Sequence, residues 1–95
     1  MREFLEGLRP GDRVWADSRA RFMDDRLLRE AEFVRWTDEA HPGWHSNEAV
    51  VRGPALRRAP QVRPAGDGTF LVDAVFLYGE EAARRDAEAA AVRRR

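Results

Sequence analysis

Three groups of side chains in this 95-residue chain have types and spacings that could do chemistry. His41 and His45 stand four apart, the separation at which a helix sets two imidazoles on one metal ion. Here Pro42 and Gly43 fall between them and break that helix, so a solvated loop is expected and no metal site. Asp24, Asp25, Glu30 and Glu32 form an acidic cluster, but it lacks the spacing of a calcium loop and alternates with Arg21, Arg26, Arg29 and Arg35. That pattern predicts a solvated, salt-bridged face. The third group is Arg52, Arg57, Arg58 and Arg63, with Trp44 upstream. Arginines can grip phosphate in a salt-dependent way while an exposed aromatic stacks a base. The same two residue types also dominate the energetic centres of protein interfaces, and an arginine-rich loop with no function is the third reading.

The charge distribution gives that last group a location. Net charge is zero, so no global field recruits nucleic acid or an anionic membrane. Residues 49–66 nevertheless carry four arginines and no acid, whereas residues 1–48 carry eight arginines against eleven acids. All 17 basic residues are arginine. With 15 alanines this reads either as the codon usage of a GC-rich genome or as selection for planar, bidentate contacts.

Catalytic machinery is not visible. No cysteine is present, and no serine, threonine or tyrosine is tied to either histidine by a known motif. Gly66 and Gly68 precede a strand, whereas phosphate-cradling loops open a helix. The expectation is a non-enzymatic protein without cofactors. The lack of cysteine fits a reducing cytoplasm, and Glu3, Glu6 and Pro10 interrupt the apolar region a signal peptide needs. No stretch approaches the ~20 apolar residues that span a bilayer, so no membrane partner is expected.

The elements that must position these groups fit one domain over residues 1–95. Phe4, Leu5 and Leu8 have helical spacing within Met1–Arg9, stopped by Pro10-Gly11. Arg13–Ala16 favours a short strand. Residues 17–36 are divided. A helix would use Asp17 or Ser18 as N-cap and a stripe of Met23, Leu27, Ala31 and Val34, whereas Phe33-Val34-Arg35-Trp36-Thr37 favours a strand. Local propensity supports helix for Ala20–Ala31, so a composite is expected, helix or turn first and strand after. Glu48–Arg52 is a further strand. Residues 53–68 hold three prolines and three glycines, which exclude a helix and leave a long loop or edge pairing. Phe70–Tyr78 reads as a core strand, and Glu80–Val92 as a helix with acids at its start, arginines at its end and an alanine-rich side. Val14, Phe33, Val50, Leu71, Val75 and Leu77 are the expected core.

The order Leu8-Arg9-Pro10-Gly11-Asp12-Arg13-Val14-Trp15, then Arg29–Arg35, then Ala74–Tyr78 with Glu80-Glu81-Ala82, resembles small Src-homology-3-like barrels of the KOW and Tudor type. It is also similar to small uncharacterised phage and mobile-element proteins that end in a Phe-Leu to Glu-Glu-Ala strand-to-helix step. The resemblance covers about a third of the chain and implies an α+β fold. Its sheet would be small, antiparallel and strongly bent, or a partly open barrel, with a helical N-terminal excursion and a C-terminal helix. It implies no catalytic residue. It implies a binding module, in the phage case one that docks on a host protein complex and modulates or inhibits it. The contact residues, Trp44, Arg52, Arg57, Arg58 and Arg63, are expected from their own chemistry and not from the resemblance, which has no counterpart to segment 53–66. The alternative is a nucleic-acid-binding barrel that uses the arginine-rich segment 52–63.

Overall fold

The structure, a computed structural model, describes residues 3–19, 25–56 and 62–93. A four-residue helix α1 (Glu3–Glu6) leads through the Pro10-Gly11 turn into β1 (Arg13–Asp17), β2 (Leu28–Trp36) and β3 (Glu48–Arg52). A short 3-10 turn (Pro54–Leu56) follows, then β4 (Val62–Gly66), β5 (Thr69–Asp73), a second 3-10 turn (Ala74–Phe76), β6 (Leu77–Tyr78) and α2 (Glu80–Arg93). The six strands form one antiparallel sheet in the order β4-β5-β3-β2-β1-β6, which is not closed. None of the described helices is long and apolar enough to cross a membrane.

The divided segment resolves in favour of the strand as far as it is described. Leu28–Ala31, where local propensity supports helix, belongs to β2, paired on one side with β1 and on the other with β3. Helix preferences differ by less than about 1 kcal/mol per residue for ordinary side chains. A central strand that hides Ala31, Phe33 and Trp36 and satisfies two ladders outweighs them. The helical part expected before Asp25 lies largely outside the described residues, and residues 25–27 are not helical.

The apolar run Phe70–Tyr78 is not one strand. Its first half is β5, between β3 and β4; its second half is β6, which pairs with β1 at the opposite end of the sheet. The turn at Ala74–Phe76 carries the chain across and resets the alternation of side chains. Phe70, Val72, Ala74 and Leu77 therefore join the core, while Leu71 is half-buried and Val75 is 38% exposed. This corrects the expected core at Leu71 and Val75. Val14, Phe33 and Leu77 belong to it; Val50 is buried but stands on the other face of β3 from Ala49 and Val51.

The proline-rich segment is also more ordered than a long loop. It contains β4, an edge strand, and Pro64 sits there opposite Phe70. An edge is the place in a sheet where a residue without an N–H is tolerated. Leu5 from α1 and Leu56 from the first 3-10 turn are fully buried and help close the core.

Candidate binding surface

The connection between β2 and β3 is organised around one buried side chain, Asn47. Its Oδ1 accepts hydrogen bonds from the Thr37 hydroxyl (3.2 Å), the Asp38 amide (3.2 Å) and the Glu48 amide (2.8 Å). Its Nδ2 donates to the carbonyls of Asp38 (2.9 Å) and His41 (2.8 Å). The Asn47 amide donates to the Trp44 carbonyl at 2.9 Å, and the Asn47 carbonyl accepts from the Ala74 amide at 2.9 Å. A short polar side chain thus supplies the backbone partners that a run of turns cannot provide for itself.

Gly43 lets the same loop lie against α1. It has φ +81°, and a Cβ there would stand 3.1 Å from the Leu5 Cβ and 3.2 Å from the Glu6 amide nitrogen. The position therefore requires glycine on conformational and steric grounds.

Trp44, 55% exposed, stands on this scaffold. Its ring meets His41 with centroids 4.3 Å apart and planes inclined by 60°. His41 Nδ1 is 2.8 Å from Asp38 Oδ2; a carboxylate only accepts, so Nδ1 carries the hydrogen. That hydrogen bond, helped by the Ala40 amide, holds the Asp38 carboxyl below its ordinary range. The result is an exposed indole in tilted contact with an imidazole that is itself tethered, over a backbone fixed by Asn47. Thr37, Asp38, His41, Trp44, Ser46 and Glu48 border a shallow hollow of about 370 Å³.

The arginines expected beside Trp44 are distributed differently. Arg63 on β4 forms an ion pair with Glu48, and Glu48 borders the Trp44 hollow, so Arg63 and Trp44 belong to one end of β3. Arg52 ends β3 at the other end and pairs across the strands with Glu32 at 3.7 Å. Arg57 and Arg58 lie outside the described residues. Of the segment without acids in sequence, Arg52 and Arg63 are thus matched in space by glutamates from β2 and β3.

The chain matches no family model, no curated protein and no solved structure.

Of the acidic cluster, Asp24 lies outside the described residues, and the fold spreads the other three. Asp25 pairs with Arg93 at 2.6 Å, Glu30 with Arg13 at 3.9 Å and Glu32 with Arg52. These partners come from other elements and not from the alternating arginines of the same segment. His41 and His45 lie on successive turns and not on a helix.

Two organising side chains are not legible in these roles from the sequence, where Asp17 reads as a candidate helix N-cap. Asn47 is one; a lone asparagine between turn residues and a strand was the only hint. Asp17 is the other. It is fully buried, accepts from the amides of Arg19 and Leu27 at 3.1 Å each, and pairs with Arg19 Nε at 2.9 Å. With the Ser18 amide bonded to the Leu27 carbonyl at 2.7 Å, it closes the base of the β1–β2 connection.

Proposed function

We propose that this chain is a non-enzymatic binding module that docks on a protein partner through the end of β3 that carries Trp44. The observation behind this reading is the exposed Trp44 ring held in place by His41, Asp38 and Asn47. An apolar side chain ordered before contact loses little conformational freedom on binding, and tryptophan is the residue type most enriched at interface hot spots. Arg63 adjoins this end and extends the surface.

The nucleic-acid alternative is the weaker reading because of charge. Trp44 stands beside Asp38 and Glu48, and the described arginines Arg52 and Arg63 face glutamates. Phosphates brought to the indole would approach carboxylates, which disfavours a base-stacking site there.

The resemblance to small barrels rests on the sequence motifs; the sheet itself is open, with β6 beside β1 at one edge. On that resemblance, the protein is a phage or mobile-element product, and its partner is a host complex in the cytoplasm that it modulates or inhibits.

The test is affinity isolation of the partner from the native host. Titration of wild type, Trp44→Ala, Arg63→Ala and Arg57→Ala/Arg58→Ala against that partner, duplex DNA and single strands then follows at low and high salt. We expect Trp44→Ala to cost at least about 2 kcal/mol of partner affinity, with salt acting mainly on association rate. Steep log-linear salt dependence on DNA, or partner binding indifferent to Trp44→Ala, overturns the reading.

A further inference from the structure

Helix α2 lies against β1, yet none of its described side chains is buried. The residues it turns toward the sheet include Ala83, Ala87 and Ala90, which border a groove of about 630 Å³ whose other wall includes Trp15, Leu27 and Leu28. A helix that docked by apolar burial would fill that space with leucine or a larger side chain. Among the described residues, the side-chain links from α2 to the rest of the molecule are charged. Arg26 donates from Nε and Nη2 to the two oxygens of Asp86 at 2.7 and 2.8 Å, with its guanidinium 4.4 Å above the centre of the Tyr78 ring. At the last residue of the helix, Arg93 donates to Asp25 at 2.6 Å. Both tethers reach the short segment that leads into β2.

The geometry points to α2 as an electrostatic clasp that opens from the sheet while the sheet stays folded, and so uncovers the face formed by Trp15, Leu28 and Tyr78. Three features support this. The core and all six strands are complete without any α2 side chain, since the core cluster draws only on α1, the strands and the 3-10 turns. The helix joins β6 through Gly79 alone, so a change at one junction can swing it. The tethers are partly exposed, with Arg26 and Asp86 about a third exposed and Arg93 and Asp25 more than half, so dissolved ions can reach and screen them. The inference is independent of the Trp44 surface.

Because the chain has no cysteine, two can be added as sole labelling sites. Arg84→Cys on the exposed side of α2 and Asp73→Cys on β5 would carry spin labels, and their distance distribution would be measured in the full-length protein. At low salt one narrow distance is expected. Raising salt from ~0.02 M to ~0.5 M, which shortens the screening length several-fold, should populate a second, broad distribution by about tenfold more. Asp25→Asn/Asp86→Asn in the labelled chain should do the same at low salt, while amide exchange in β2 and β3 stays at the wild-type rate. A single narrow distance under every condition overturns the inference. So does an open population that appears only together with faster exchange in β2 and β3, because α2 then opens only when the sheet unfolds. Should the double variant fail to fold, the salt series on the labelled wild-type background decides between the same outcomes.

Discussion

The indole of Trp44 and the imidazole of His41 form a tilted aromatic pair, 4.3 Å between centroids, on a loop whose backbone converges on a single asparagine. The ring is 55% exposed, yet it rests on an imidazole that Asp38 tethers. The order of that loop is therefore measurable apart from any binding.

Asn47→Ala should lower stability by about 2–3 kcal/mol, since it strands several buried backbone groups that Asn47 satisfies. It should also raise the rotational freedom of Trp44. Asn47→Asp should retain part of this stability, because Oδ1 still accepts while the two donated hydrogen bonds are lost. Chemical denaturation checks the stability, and fluorescence anisotropy checks the order of Trp44 once the signal of Trp15 and Trp36 is removed by difference against a Trp44→Phe variant. Unchanged Trp44 anisotropy in Asn47→Ala would refute the role assigned to Asn47.

Gly43→Ala should cost roughly 1–3 kcal/mol, because φ is positive and the new Cβ would press on the Leu5 side chain and the Glu6 backbone. Gly68→Ala should cost less. Its φ is also positive, at +75°, but the added carbon meets open space. Thermal melts of the two variants side by side separate crowding from backbone conformation.

Leu77→Ala should destabilise by about 2–5 kcal/mol, as for a fully buried leucine. Val75→Ala, two residues earlier and exposed, should stay within about 0.5 kcal/mol of wild type. Comparable losses in both would mean that the 3-10 turn does not reset the side-chain alternation.

The acid limb of the stability profile should involve Asp38 and Asp86. Both carboxyls are held below their ordinary value, Asp38 chiefly by the hydrogen bond from His41 and Asp86 chiefly by that from Arg26. A pKa that is lower in the folded than in the unfolded chain gives a contribution fully present above the unfolded value and lost as pH falls through the folded one. Loop order at Trp44 should accordingly persist through neutral and mildly acid pH and fade only below the ordinary carboxylate range. Asp38→Asn should remove that component of the fluorescence titration, and Asp86→Asn should remove the part that follows α2.

Much of this protein can be derived from neighbours in the chain. The Pro10-Gly11 turn, the strands at Arg13–Asp17 and Glu48–Arg52, and the acid-to-base order of α2 each depend on residues a few positions apart, as in the Glu81–Arg85 pair at 2.7 Å. The prominence of Trp44 was equally visible, as a large aromatic among turn residues. Tertiary structure alone decided what happens to the rest. Whether Leu28–Ala31 became helix or strand depended on β1 lying alongside and on the strand continuing into the segment that pairs with β3, and whether Leu71 or Val72 faced the core depended on where the chain turned between β5 and β6. The acid partners of Arg52 and Arg63 stand 20 and 15 positions away in sequence, so no local pattern announces them. Local preferences are worth tenths of a kcal/mol per residue, whereas a strand's two ladders and its buried face act together once distant segments meet. That is why the elements were legible before the pairings, and why the charge and rigidity of the candidate surface emerged only when the pairings were in place.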